Sequence, residues 1–189
     1  TNNKRIEVVA NGSNFECLIP NSAANEVECF ITSVNEIKNI NQLLPVSGTG
    51  FFEDYSTVSI DTAFVIITHP SLLNEANNYA NYRTNGPGNN PENAIVFNIN
   101  DLYDQFAYGI EKHPLSIRNF IDFIADTWAS KPRYLFLIGK SIKAGESRKD
   151  SNNFHANLVP SFGVPASDNM LTAGLNGTGN EPFLATGRL

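Results

Sequence analysis

The chain has 189 residues with 13 basic and 19 acidic side chains, for a formal net charge of −6. That length carries one domain of ordinary size with its own core, and hydrophobic residues at 41% in short runs exclude a disordered chain and a helical membrane span. The acidic balance, with no Lys/Arg cluster, argues against nucleic acid as a partner, and two cysteines are too few for a disulfide scaffold or a four-cysteine zinc site.

The chain opens on Thr1 with no basic-then-apolar leader before Ile6, and it closes on the strand-like run Phe183 to Leu189. These ends are those expected of an excised piece of a longer protein, so the missing leader says nothing about compartment. Asparagine occurs 26 times, and Asn11-Gly-Ser13 and Asn176-Gly-Thr178 match the glycosylation pattern, which matters only in a eukaryotic secretory route.

Residues 1–50 read as β. Arg5–Val9, Phe15–Ile19 and Val27–Thr32 are short alternating or apolar runs, separated by the turn residues Asn11-Gly12 and Pro20-Asn21. They have the pattern of the last strands of an upstream antiparallel unit. Cys17 and Cys29 fall inside these runs. Pairing with a histidine could make either a thiol nucleophile, but the role of a small buried hydrophobe is favoured.

From about residue 55 strands and helices alternate. Ala63–Thr68 is a continuous apolar run, as a strand covered on both faces requires. Pro70 and Ser71 open a helix with Leu72, Leu73, Ala76, Tyr79 and Ala80 on one face, ended by the Gly/Pro-rich stretch Thr84–Pro91. Ala94–Ile99 is a second buried strand. Asn100 is placed to cap a short helix through Ala107, closed by Gly109. Behind Pro114, the positions Ile117, Phe120, Ile121, Ile124 and Trp128 repeat at helical spacing. Arg133–Ile138 gives a third buried strand ending at Gly139. A polar stretch, 140–157, follows, and then two further strand candidates, Leu158–Pro160 and Phe183–Leu189. The pattern predicts an α/β fold: an open, mostly parallel sheet flanked by helices, preceded by a short antiparallel β segment.

In such sheets ligands gather beyond the carboxyl ends of the strands, here Thr68-His69-Pro70, Asn98–Asp101 and Gly139–Ile142. None carries a phosphate-cradling loop, since Ser47-Gly-Thr-Gly50 precedes a strand and Gly139-Lys140-Ser141 lacks the earlier glycine. His69 reads as a capping or a cleft residue, His113 as the residue before a helix-starting proline, and His155 as part of a polar loop. The three histidines have no metal-ligand spacing. Asp101 and Asp104, three apart on a short helix, read as a solvated face. Asp168 can cap the next helix or place its carboxylate on a cation, the cap or turn being favoured. No residue is assigned a catalytic, cofactor-binding or metal-binding role.

Several segments in order carry a resemblance: Phe64–Thr68, Asn100–Phe106, Leu115–Phe120, Pro132–Gly139, Asn157–Ser161, Ala166–Asn169 and Thr186–Leu189. Together they resemble the gingipain-type cysteine peptidases, nearest to the branch that serves type IX secretion as a cell-surface signal peptidase, or sortase. The resemblance covers residue 55 onward. It implies a caspase-like pair of α/β subdomains, of which 55–189 is the first, while 1–50, by its own pattern, reads as the end of an upstream β domain. It also implies an extracellular or bacterial cell-surface location and a protein or peptide substrate for the intact enzyme. The histidine and cysteine of thiolate attack belong to the second subdomain, so this piece is expected to be silent and to support and dock that partner. Calcium is a cofactor of similar enzymes, without assignable ligands here. Lys140 departs from the Gly-Asp that better-known gingipains have after this strand. The competing readings are a catalytically dead surface binding or scaffold domain of the same fold and, less favoured, a cytosolic flavin or nucleotide protein.

Overall fold

The computed structural model describes residues 5–20, 29–37, 39–43, 45–58, 63–86 and 92–189. The chain divides into two compact units, residues 1–43 and residues 44–189.

In the first unit, β1 (Val9–Asn11) and β2 (Asn14–Glu16) form an antiparallel hairpin with Asn11 opposite Asn14. The two-residue loop Gly12-Ser13 needs a left-handed residue, and Gly12 supplies it at φ +63°. Both strands are shorter than the runs Arg5–Val9 and Phe15–Ile19 suggested, β1 lying later than its run and β2 starting one residue before its own. Of the third run, residues 27 and 28 lie outside the described residues, and Cys29–Thr32 is not strand. Cys17 and Cys29 are exposed and outside strands, which corrects their expected place as buried hydrophobes. The physical reason is coverage: among the described residues of this unit none is buried, and Phe15 is 75% exposed. A lone two-stranded ribbon has no second layer to bury either face.

The second unit is built on β3 (Phe64–Thr68), β4 (Ala94–Asn98), β5 (Tyr134–Ile138) and β6 (Ala185–Arg188). All are parallel, in the order β4-β3-β5-β6, with Ile66 opposite Val96 and Phe136, and Phe136 opposite Gly187. β3 is buried along its whole length, and its side chains alternate between two apolar cores. Phe64 and Ile66 pack with Ala76 and Ala80 of α1 (Leu73–Asn85). Val65 and Ile67 pack on the other face with Leu102 of α2 (Ile99–Phe106) and with Ile117, Phe120, Ile121 and Ile124 of α3 (Leu115–Thr127). An α/β fold with a parallel sheet between helical layers is therefore present, together with the separate antiparallel hairpin.

Phe120 is the aromatic centre of the larger core. Its ring lies 4.7 Å from that of Phe97, 5.3 Å from Tyr55 and 5.4 Å from Phe106, each nearly edge to face. The Trp128 indole N–H donates to the Tyr55 carbonyl at 2.7 Å, pinning the segment before β3 to the end of α3.

Four local expectations change. The cap of α2 is Asn98, whose side chain accepts from the Asn100 N–H at 3.1 Å, so the helix starts before Asn100. The polar stretch 140–157 contains two short helices, α4 (Ala144–Ser147) and α5 (Ser151–Ala156), and His155 sits in α5 rather than in a loop. Leu158–Pro160 is not a strand: its Leu158 and Val159 N–H groups converge on the one Lys140 carbonyl instead of forming a ladder. Leu73, expected on the inner face of its helix, is 37% exposed.

Candidate functional site

The chain leaves β3 for β4 on one side of the sheet and then returns across β3 to β5. The reversal puts the switch point of the topology at the carboxyl ends of β3 and β5, where sheets of this kind bind ligands. The residues of that rim follow from the strand exits.

At the end of β3, the buried Thr68 hydroxyl donates to the Ile138 carbonyl at 3.0 Å and ties β3 to β5. His69 then caps the 3₁₀ turn Pro70–Leu72 that leads into α1. Its Nδ1 accepts the Ser71 N–H at 3.2 Å, with the Ser71 hydroxyl 2.8 Å from the same nitrogen. Burial, and then the charge of Lys112, hold its pKa below the ordinary value, which keeps Nδ1 an acceptor. Of its two readings, the structure gives the cap.

His113 uses its ring in the same way, Nδ1 accepting the Leu115 N–H at 3.2 Å at the start of α3. It also lines a shallow, mostly apolar pocket of about 110 Å³ with Phe106, Tyr108, Ile110, Leu115 and Asn119. Beside it, Lys112 adopts φ +59°, and its ammonium lies 5.9 Å from the ring centres of both Tyr103 and Phe154. Burial lowers its pKa, with Glu111 opposing. Asp101 and Asp104 are half-buried rather than a fully solvated face. After burial itself, the charges of Asp101 and then Glu53 push the Tyr55 hydroxyl upward.

At the end of β5, Gly139 has φ +144°, and a Cβ there would stand 3.0 Å from Val159 Cγ2 and 3.2 Å from Leu158 Cβ. Only glycine fits. The chain beyond it is laced to 157–161: Asn157 Oδ1 accepts the Ile142 N–H, and Ser141 Oγ accepts the Ser161 N–H, both at 3.0 Å. The Lys140 side chain is exposed.

The densest polar cluster of the rim lies at the end of β6. Arg188 donates in a fork to Asp168, Nε to Oδ2 at 2.8 Å and Nη2 to Oδ1 at 2.7 Å. Its Nη1 donates to the carbonyls of Gly139 (2.6 Å) and Val159 (2.8 Å), and Nη2 reaches the Pro160 carbonyl and the Ser161 hydroxyl. Ser161 also donates to Asp168. Burial raises the Asp168 pKa, but the hydrogen bonds from Arg188 and Ser161 and the Arg188 charge outweigh it, so the carboxyl stays below its ordinary value. Asp168 caps nothing: the N-cap of the 3₁₀ turn 168–171 is Ser167, without a side-chain bond. The favoured cap reading is thus corrected, and the cation its carboxylate holds is a guanidinium of its own chain. Sequence reasoning placed Arg188 in the terminal Thr186–Leu189 segment of the resemblance but gave its side chain no partner. The signal was faint, one arginine behind Gly187 at the end of a strand.

The rim is thus chemically occupied by structure. Both oxygens of Asp168 are engaged, and the Nδ1 atoms of His69 and His113 each hold a helix start. Among the described residues no three His, Cys, Asp or Glu side chains stand together as metal ligands, so the calcium implied by resemblance finds no such seat there. No helix among them is long and apolar enough to cross a membrane.

The family model of peptidase family C25, the gingipain family, matches residues 58–189, from just before β3 to the last residue. No curated protein and no solved structure matches the chain. The parallel sheet and the matched segment coincide, and the chain belongs to peptidase family C25.

Proposed function

We propose that residues 55–189 are the non-catalytic first subdomain of a secreted cysteine endopeptidase, a platform on which a downstream catalytic subdomain docks. The observation that carries this reading is how the rim side chains are used within the matched domain. His69 and His113 spend Nδ1 on helix starts, and Asp168 and Arg188 spend their charges on each other. In this reading the thiolate, its histidine and the oxyanion-stabilising amides lie in the downstream subdomain, which cleaves the peptide bond. The parallel sheet supplies a stiff base. β6 pairs with β5 on one side only among the described strands, and Val164 at the tip of the 162–167 loop is fully exposed.

The finer placement is a caspase-like architecture, at the bacterial surface or outside the cell, in the sortase-like branch of type IX secretion. It rests on the ordered segments of the sequence. Residues 1–50 are then the end of an upstream β domain. The test is a calorimetric titration of the purified chain with the polypeptide its gene encodes beyond Leu189. A saturable one-to-one isotherm is expected; no binding, or a gene with no coding sequence there, overturns the reading.

A further inference from the structure

Among the four strands of the sheet, β6 has the least to hold it. It is an edge strand of four residues, none of them buried, with Gly187 in its interior contributing no side chain to either core. Its partner β5 and the central β3 are by contrast anchored by Leu135, Leu137, Val65 and Ile67, each at most 1% exposed. What β6 does have is Arg188. That one side chain reaches three carbonyls, a hydroxyl and a carboxylate on the segments 139 and 159–168.

The geometry also joins the strand to a loop. Ser161 and Asp168 are the two feet of the loop that the Phe162–Ser167 bridge closes, and the same guanidinium touches both. Arg188 is oriented by Asp168, with which it forms a salt bridge at 2.7 Å. A partly buried fork of charge-assisted hydrogen bonds is among the strongest side-chain contacts open to such an edge strand.

We propose that Asp168 is a positioning residue for the edge of the sheet: acting through Arg188, it locks β6 and the 162–167 loop to one anchor, so that they fasten and release together. The remaining three strands stay folded when the lock is open. Anything that binds the loop then alters the edge strand, and a partner at the edge is felt by the loop in equal measure.

The experiment is residue-resolved amide hydrogen exchange on the full chain, wild type against Asp168→Asn, Asp168→Glu, Arg188→Lys and Ser161→Ala. The reporters are the Ala185 and Leu189 N–H groups, bonded to Arg133 and Leu137, and the Ser167 N–H, bonded to Phe162. In Asp168→Asn and Arg188→Lys, exchange at all three is expected to quicken together, on the order of tenfold, as the loss of charge-assisted bonds implies. The Ile66 and Ile67 amides of β3 keep their wild-type rates. Asp168→Glu, which retains the charge, restores protection in part, and Ser161→Ala, which leaves the fork intact, changes it little. Quickening at Ser167 without change at Ala185 and Leu189 overturns the proposal. So does equal loss of protection in β3, or an Asp168→Glu variant no better than Asp168→Asn.

Discussion

Two titratable side chains of the rim give opposite kinds of evidence at the residue scale, and both weaken the fold in acid. His69 works as a neutral acceptor, and its folded pKa lies below the ordinary 6.5. Its contribution is therefore complete above about pH 6.5 and fades as the pH falls from there through the lowered value, where the proton takes the lone pair from the Ser71 N–H. Urea denaturation should show this first acid slope, and His69→Asn, which caps without titrating, should remove it. At pH 8, His69→Ala should cost about 1 kcal/mol, as the loss of a helix cap does. Asp168 acts lower. Its folded pKa lies below the ordinary 3.8, so its contribution is present above that value and is lost as the pH falls through the depressed one. A second loss confined to strong acid, and absent from Asp168→Asn, is expected in the same titration. Gly139 makes a steric prediction instead: with φ +144° and Val159 Cγ2 3.0 Å from a new Cβ, Gly139→Ala should cost about 1–3 kcal/mol.

Legibility at the element scale followed how completely an element is covered. The runs Ala63–Thr68, Ala94–Ile99 and Arg133–Ile138 became β3, β4 and β5 almost residue for residue. β3, buried along its whole length, is apolar as a strand covered on both faces must be, whereas β4, expected to be buried, lies at the sheet's edge and buries only Phe97. The helix at Ile117–Trp128 was equally plain in its periodicity, and its centre is quantitative: Phe120→Ala, removing a ring with three aromatic neighbours, should cost about 3–5 kcal/mol by calorimetry. The failures have the converse cause. β1 and β2 bury nothing, so hydrophobicity could not fix their limits, and Cys17, just past β2, and Cys29, in a run that forms no strand over 29–32, were misplaced with them. In Asn98-Ile-Asn100 two equally good caps stand two residues apart, and only the backbone decides between them. The Asp168–Arg188 pair joins residues twenty apart with no periodic relation, brought together by strand pairing that no local pattern announces.

At the scale of the whole chain, a domain of peptidase family C25 spans residues 58–189, and the polar side chains described at its sheet's carboxyl rim are bonded to neighbouring segments of the same chain. The parallel order β4-β3-β5-β6 reverses between β3 and β5, the switch point beyond which enzymes of many kinds place their chemistry. The topology alone does not specify a reaction, and function has to be argued from the side chains there. Here those side chains cap helices, tie β3 to β5 and fasten β6. The most direct measurement is hydrolysis of a mixed peptide library by the purified 189-residue chain, with Cys17→Ala and Cys29→Ala variants alongside. The account predicts no cleavage above the buffer control. Turnover by the wild-type chain that disappears with either cysteine would contradict it.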